Sequence, residues 1–317
     1  MKAMTRGIWR TDAVATPGWR AAAERSGFRH RLSADGASGF AAEAGRYHLY
    51  VSYACPFAHR TLLARALVGL EAAVGVSVLD PDWGGPHGWV FNDGPMATPD
   101  HVSGLANLPE VYRKAAPRFT GKVTVPALWD RKRGTIVNNE SAEIMRMFEV
   151  EMRALGTSGI DLYPDELHAE IDRINAFVGP RINGGVYRAG FAATQEAYEA
   201  AVVELFAALD ELERHLSARR FLVGERLTEA DLRLFPTLVR FDIAYYGALR
   251  CNLRRLAEYP NLWAYTKRLY HLPGIAATVK LDHVKRHYWD DHEMINRRIV
   301  PLGPEVDFGA PAAARAA

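Results

Sequence analysis

One cysteine, Cys55, stands in the motif Cys-Pro-Phe-Ala-His, where a β-rich run gives way to apolar residues at helical spacing. Pro56 suits the first position of a helix, because the N–H that proline lacks would have no partner there. Unpaired amides and the positive end of the helix dipole would then face the sulfur, and such surroundings lower the pKa of a thiol from its usual value of about 8.5. The sequence therefore predicts a nucleophilic thiolate at Cys55, which would attack another sulfur through a mixed disulfide.

The alternative interpretation of Cys55 is a buried, unreactive cysteine, since free cysteine is among the most buried residue types. The junction between strand and helix favours the reactive interpretation. Cys251, the other cysteine of the chain, has no such setting, and we interpret it as a packing residue. No second cysteine occupies the CxxC position of the motif, so disulfide exchange at Cys55 needs an external thiol. His59 is interpreted as a structural residue rather than a proton partner.

Val125-Pro126 interrupts a run that otherwise reads as a strand, and proline is disfavoured inside a central strand. An edge position, a tight turn or a cis peptide bond would accommodate it. The cis alternative is the informative one, because the residue before a cis-proline can offer its backbone to an extended thiol-containing peptide, as an added strand would. The dipeptide alone does not separate this alternative from an ordinary edge proline.

A second group of polar residues could bind the remainder of such a peptide. Glu140 and Ser141 open a predicted helix, so Ser141 and the free amides could bind a carboxylate while Glu140 binds an ammonium. Together they would hold the zwitterionic end of a γ-glutamyl group, although simple helix capping would account for one of the two side chains. Lys122 could supply a positive charge for a second carboxylate, or it could be a solvated lysine.

Two kinds of periodicity divide the chain. Its first half alternates strand-like runs with an amphipathic helix and ends in a hairpin, which indicates a βαβ-containing domain. The predicted strands cover residues 46–54, 73–80, 123–130 and 135–138. From Asp165 onward the spacing of apolar residues predicts an all-helical domain, with a capping box at Thr228 and Asp231. The fold is therefore predicted to be an α/β domain followed by an all-α domain, with a linker within 153–164.

Composition and charge exclude several classes of protein. The 317 residues carry a formal net charge of +2, which gives no reason to expect a nucleic acid or an acidic membrane surface as partner. The sequence shows no signal peptide and no run near the roughly 20 apolar residues of a membrane span. The presence of only two cysteines suits a reducing cytoplasm. The 11 histidines are scattered, segment 287–292 (HYWDDH) is interpreted as polar surface, and no metal site is predicted.

Long blocks of the sequence resemble the glutathionyl-hydroquinone reductases, also called the xi class of glutathione transferases. The resemblance extends from about residue 27 to residue 303, and several of its blocks are too long for a chance match. The blocks that carry it include RYHLYVSYACPFAHRTLLARALVGLE, VTVPALWD, TIVNNESAEIMRMF, NGGVYRAGFAATQEAYEAAV, RRFLVGERLTEADLRLFPTLVRFD and CNLRRLAEYPNLWAYTKRLY.

The resemblance implies a thioredoxin-like N-terminal domain over residues 46–155 and a glutathione-transferase-type helical C-terminal domain over residues 165–303. Residues 1–45 would form an N-terminal extension, and residues 304–317 a disordered tail. The resemblance also implies a homodimer and a reaction in which glutathione, as co-substrate, reduces a glutathionyl-hydroquinone to the free hydroquinone. The partners expected are therefore small molecules and a second copy of the chain.

The resemblance also assigns roles to individual residues. Cys55 would be the nucleophile, and two tyrosines, Tyr245 and Tyr288, would assist the departing ring as catalytic hydroxyls. Tyr187 and Phe57 would bind the aromatic substrate. Glutathione would be held by Trp89, Lys122, Val125, Glu140 and Ser141.

Three positions depart from the family pattern, which usually has tryptophan at Phe57, arginine at Lys122 and histidine at Ala248. Lysine keeps the charge of arginine but loses its bidentate fork. These departures leave open the exact quinone and the use of another low-molecular-weight thiol. General thioltransferase or dehydroascorbate reductase activity is the nearest alternative. A conjugating transferase, which would activate glutathione with a hydroxyl, and a non-enzymatic binding protein on the same fold are more distant ones.

Overall fold

The computed structural model describes residues 1–25, 27–83, 85–290 and 299–310. The chain forms two compact units, one made of residues 1–160 and the other of residues 161–290 with segment 299–310. The boundary falls within the linker predicted at 153–164. Among the described residues, no helix has both the length and the apolar character needed to cross a membrane.

The first unit is built on a four-stranded mixed sheet. Its strands are β3 (Tyr47–Val51), β4 (Val74–Val78), β5 (Ala127–Asp130) and β6 (Thr135–Asn138), in the order β4-β3-β5-β6. Helix α2 (Pro56–Val68) connects β3 to its parallel neighbour β4, whereas β5 and β6 pair antiparallel. All five residues of β3 are buried, which accounts for its continuous apolar and aromatic character. The predicted βαβ unit and hairpin are both present.

The strand predicted to begin at residue 123 is shorter in the structure. β5 starts only at Ala127, because Pro126 has no N–H to give to a sheet ladder. The Val125–Pro126 peptide bond is cis, which is the informative alternative of the sequence analysis. The irregular region before it contains α3 (Leu108–Ala115), and helix α4 (Ser141–Arg146) follows β6.

The first 45 residues contain more regular structure than the sequence indicated. Strands β1 (Ala3–Thr5) and β2 (Ile8–Arg10) form a hairpin, and helix α1 spans Pro17–Arg25. Met4 exchanges two backbone hydrogen bonds with Gly121, at 2.9 and 3.0 Å. Elements of three to nine residues are too short for hydrophobic periodicity to reveal, and the predicted extension is thus an integral layer of the first unit.

The second unit is helical. Its α-helices are α5 (His168–Val178), α6 (Gly185–Gly190), α7 (Gln195–His215), α8 (Glu229–Leu238), α9 (Tyr246–Ala248), α10 (Pro260–Tyr270), α11 (Ile275–Thr278) and α12 (Leu281–Asp290). The predicted capping box of Thr228 and Asp231 opens α8. A π-helical turn, Phe241–Tyr245, lies between α8 and α9.

The prediction of a disordered tail over 304–317 is wrong for residues 304–310, whereas residues 311–317 lie outside the described residues. Phe308 is buried, and its ring stacks on Tyr270 with centroids 3.9 Å apart. Its carbonyl also bonds to the His271 ring at 3.0 Å. A single aromatic residue in a polar, alanine-rich context gave no signal of this contact.

Candidate active site

Cys55 lies at the junction that the sequence predicted, as the N-cap residue of α2 with extended backbone angles (φ −77°, ψ 121°). Pro56 occupies the first turn of the helix, so that the helix begins directly after the sulfur-bearing residue. The thiol is half-buried, and its Sγ lies 3.6 Å from the carbonyl oxygen of Val125. The helix start and the cis-proline segment therefore meet at one point, which no spacing in the sequence could establish.

The surroundings of Cys55 leave it as the one accessible thiol of the protein. Ala58, which occupies the position of the second cysteine in a CxxC motif, is completely buried. Cys251 is buried in the second unit, where burial raises the pKa of its thiol to about 12. His59 is buried one turn into α2, where its backbone N–H donates to the Cys55 carbonyl at 3.0 Å, and its interpretation as a structural residue stays a prediction.

The start of α4 shows how the two polar residues after β6 are used. Glu140 caps the helix, because its Oε1 accepts hydrogen bonds from the Ala142 N–H at 3.3 Å and from the Ser141 hydroxyl at 3.4 Å. The guanidinium of Arg60 donates to Ser141 Oγ at 3.4 Å. Capping thus engages the Glu140 side chain alone, while Ser141 bonds to Glu140 and to a buried arginine of α2.

Arg60 was missed as a site residue by the sequence analysis. It is 6% exposed, and its guanidinium carbon lies 4.9 Å from the ring centroid of Phe57. One α-helical residue therefore contacts both Phe57 and Ser141. The signal that could have revealed it is an arginine five residues after the cysteine, near the start of the predicted helix.

Trp89 and Lys122 lie on the two segments that flank α3. Trp89 is buried, its carbonyl accepts the Leu108 N–H at 2.9 Å, and its ring centroid lies 6.4 Å from that of Trp83. Lys122 is exposed and precedes Val125 by three residues. Both residues belong to the same unit as Cys55. The contact with the Cys55 sulfur described above is made by the Val125 carbonyl.

The three predicted tyrosines of the second unit form one cluster. Tyr288 lies at the centre, with its hydroxyl 2.5 Å from that of Tyr187 and 3.5 Å from that of Tyr245. The Tyr245 and Tyr288 rings meet edge to face, with centroids 5.3 Å apart. The chain has 13 tyrosines, and these three come from α6, the π-helical turn and α12.

Burial raises the pKa of Tyr288 well above the usual value for a phenol. The hydroxyl therefore stays protonated at neutral pH and can donate a hydrogen bond, but it cannot act as a base. Tyr288 is 2% exposed, so the interpretation of segment 287–292 as polar surface is wrong at this residue. Residues 291 and 292 of that segment lie outside the described residues.

The indole of Trp289 holds α12 against the π-helical turn. Its Nε1 donates to the Ile243 carbonyl at 3.0 Å. Its ring also lies against Gly247, where an added Cβ would approach Cη2 to 2.5 Å. A side chain at position 247 would therefore force the indole, and with it the packing of α12 on the π-helical turn, to shift.

Comparison with known proteins gives the family. Residues 54–151 match the model of the glutathione S-transferase N-terminal domain, and residues 195–268 match that of the C-terminal domain. The glutathionyl-hydroquinone reductase PcpF of Sphingobium chlorophenolicum is 49% identical over 302 residues, covering 94% of this chain and 95% of the relative. The chain belongs to the glutathionyl-hydroquinone reductase family, the xi class of glutathione transferases.

Solved structures of xi-class glutathione transferases share the fold over nearly the whole chain. The xi-class enzyme of Natrialba magadii superposes with a TM-score of 0.94 at 48% identity, covering 99% of this chain and 96% of that one. The glutathione-bound structure of YqjG from Escherichia coli gives a TM-score of 0.90 at 44% identity, covering 98% and 97%. The thioredoxin-like and helical domains implied by the resemblance are therefore confirmed.

The three departures from the xi-class pattern occupy different environments. Phe57 is half-buried against Arg60, Lys122 is exposed, and Ala248 is completely buried in α9. Among the described residues, no group of three or more histidine, cysteine, aspartate or glutamate side chains has the geometry to hold a metal ion.

Proposed function

We propose that the protein is a glutathione-dependent reductase of glutathionyl-hydroquinones and that Cys55 is its nucleophile. The observation that carries the proposal is the position of Cys55 at the start of α2, beside the backbone of Val125, with no second thiol at the CxxC position. This arrangement suits attack on a sulfur bound to glutathione. The names of PcpF and YqjG, both glutathionyl-hydroquinone reductases, support the same conclusion.

The proposed reaction has two steps. The Cys55 thiolate attacks the thioether sulfur of the substrate, so that an S–S bond forms and the bond between sulfur and the aromatic carbon breaks. The electron pair of the broken bond remains on the ring, which takes up a proton and leaves as the hydroquinone. A second glutathione thiolate then attacks the mixed disulfide, releasing oxidised glutathione and regenerating Cys55. The aromatic carbon is reduced, and the thioether sulfur of the substrate is joined to the sulfur of the second glutathione as the disulfide.

We assign the binding of glutathione to groups of the first unit. The Val125 backbone would pair with the cysteinyl part of the tripeptide, as an added strand would. The start of α4, with Glu140 and Ser141, would receive the γ-glutamyl end. Trp89 and Lys122 would complete the site, with Lys122 beside the other carboxylate. The glutathione-bound structure of YqjG supports glutathione as the thiol.

The tyrosine cluster would assist the departure of the aromatic ring. Negative charge develops on the ring as the carbon–sulfur bond breaks, and a protonated hydroxyl that donates a hydrogen bond stabilises such charge. Tyr245 and Tyr288 would supply this donation, while Tyr187 and Phe57 would contact the substrate. The homodimeric state and the cytoplasmic location stay predictions from the resemblance and the composition.

The proposal is tested by incubating the purified protein with glutathionyl-menadiol and an excess of glutathione. We expect menadiol to be released together with an equal amount of oxidised glutathione, both measured by chromatography. Omission of glutathione should limit release to about one equivalent of menadiol per chain, because the mixed disulfide cannot be resolved. Absence of release from glutathionyl-menadiol, alongside rapid reduction of a small disulfide or of dehydroascorbate, would assign the protein to the general thioltransferases instead.

Replacement Tyr288→Phe is expected to lower kcat for menadiol release about 10- to 100-fold while the KM for glutathione changes little, because one transition-state donor is lost. Tyr246→Phe is the matched control. Tyr246 follows Tyr245 directly, but its ring lies near the guanidinium of Arg255, 5.5 Å away. An equal loss of kcat in both variants would contradict the assignment of the cluster.

A further inference from the structure

The N-terminal hairpin, residues Ala3–Arg10, lies between the two segments that carry Trp89 and Lys122. Its two-residue turn has positive φ angles at Arg6 (52°) and Gly7 (81°), the conformation that twisted antiparallel strands prefer. A side chain at Gly7 would be excluded, because an added Cβ would lie 1.9 Å from the Pro117 carbonyl oxygen. The turn is therefore shaped to fit against the segment that leads to Lys122.

One edge of the hairpin is hydrogen-bonded to residues 119–121. The Gly7 N–H donates to the Phe119 carbonyl at 2.8 Å, and the Arg6 N–H donates to Thr120 Oγ1 at 3.0 Å. With the paired bonds between Met4 and Gly121, four hydrogen bonds hold this edge. Lys122 is the next residue of the chain.

The other side of the hairpin holds the segment before Trp89. The Trp9 indole donates from Nε1 to the Pro86 carbonyl at 2.8 Å. Its ring also packs on Gly88, where an added Cβ would lie 2.7 Å from Cζ2. Lys2, just before the hairpin, donates to the Trp83 carbonyl at 2.8 Å and lies 4.8 Å from the centroid of that ring. Trp83 in turn contacts Trp89.

We infer that the N-terminal hairpin is a clamp that sets the separation of Trp89 and Lys122 and thereby the affinity for the thiol substrate, with Trp9 as the positioning residue. This inference rests on the proposed function, which assigns both residues to glutathione. The two segments are more than 30 residues apart in the chain, and the hairpin contacts both. Residues 81–83 and 85–89, as the structure describes them, form no helix or strand, so their position depends on contacts such as these.

Calorimetric titration with glutathione tests the clamp in a Cys55→Ser background, which removes the chemistry and leaves the binding site. We expect Trp9→Ala to raise the Kd about 5- to 10-fold, and Trp9→Phe, which keeps the ring on Gly88 but loses the Nε1 donor, about 2- to 4-fold. In the Cys55 protein, kcat at saturating glutathione should stay within about twofold of wild type, because Trp9 does not touch the reacting atoms. Arg10→Ala is the control, since Arg10 lies on the same strand and pairs with the exposed Asp12.

Amide hydrogen exchange separates the clamp from the identity of the thiol. Trp9→Ala should accelerate exchange in residues 85–91 and 119–124 without glutathione, whereas Arg10→Ala should not. Equal Kd values for Trp9→Ala and Arg10→Ala would overturn the inference, as would a kcat that falls while the Kd stays constant. If Cys55→Ser alone fails to bind glutathione, the assignment of glutathione is overturned, and the exchange rates then decide whether the hairpin restrains the two segments.

Discussion

Replacement Cys55→Ser is expected to reduce glutathione-dependent release of menadiol about 1,000-fold or more, because a serine hydroxyl is not ionised at neutral pH and has no activating base in the proposed mechanism. Binding of glutathione should persist within a few fold, since the groups proposed to hold it are unchanged. The measurement compares initial rates and calorimetric affinities of the two proteins. A large loss of rate with retained affinity is the signature of a nucleophile.

Cys251→Ala is the matched control for this prediction. Cys251 is completely buried, and its sulfur makes only long contacts, to the Val186 and Leu249 carbonyls at 3.8 and 3.7 Å. The activity of the Cys251→Ala variant should stay within about twofold of wild type. Brief treatment with iodoacetamide near pH 7 should modify one cysteine per chain in the wild type and in Cys251→Ala, and none in Cys55→Ser. Retention of more than a tenth of the wild-type rate by Cys55→Ser would contradict the proposed mechanism.

Replacement Asp231→Ala is expected to destabilise the helical domain by about 3 kcal/mol or more, because it leaves several buried donors without an acceptor. Asp231 accepts from the Thr228 N–H at 2.8 Å, from the Leu222 N–H at 2.9 Å and from the Tyr265 hydroxyl at 2.8 Å. Burial raises the pKa of Asp231 despite these bonds. The Asp231 side chain therefore joins the start of α8 to α10 and to the loop that precedes α8.

Two further variants calibrate the effect of Asp231→Ala. Thr194→Ala removes an exposed cap, in which Oγ1 accepts the Ala197 N–H at 3.2 Å, and should cost about 1 kcal/mol. Tyr265→Phe removes one of the bonds to Asp231 and should cost about 1 kcal/mol plus any loss of packing. Urea unfolding followed by circular dichroism gives the free energies. A loss for Asp231→Ala no greater than that for Thr194→Ala would contradict the multiple-acceptor role.

The features that the sequence predicted correctly are those encoded by neighbouring residues. The junction at Cys55, the hairpin after Pro126 and the capping box of Thr228 and Asp231 each depend on a few consecutive positions. Local hydrogen bonding and proline geometry fix such features almost independently of the rest of the fold. Their chemistry could therefore be anticipated before the structure was known.

The features that escaped prediction depend on contacts between distant residues. Tyr187 and Tyr288 share a hydrogen bond although they are 101 positions apart, and the family resemblance rather than any spacing selected them. Arg60 looked like an ordinary helix residue until the packing of α2 on α4 gave it Ser141 as a partner. The N-terminal hairpin is built from three-residue strands, so its position depends on Gly121 rather than on its own pattern.

The buried Ala58 has a consequence for how the protein would behave in a living cell. With no neighbouring thiol to complete the exchange, every catalytic cycle would depend on reducing equivalents supplied by the surrounding metabolite pool. Oxidative stress, which depletes that pool, would leave the enzyme arrested as its glutathionylated form. Under the proposed mechanism, the fraction of chains carrying glutathione at Cys55 would then report the balance between reduced and oxidised glutathione in the cell.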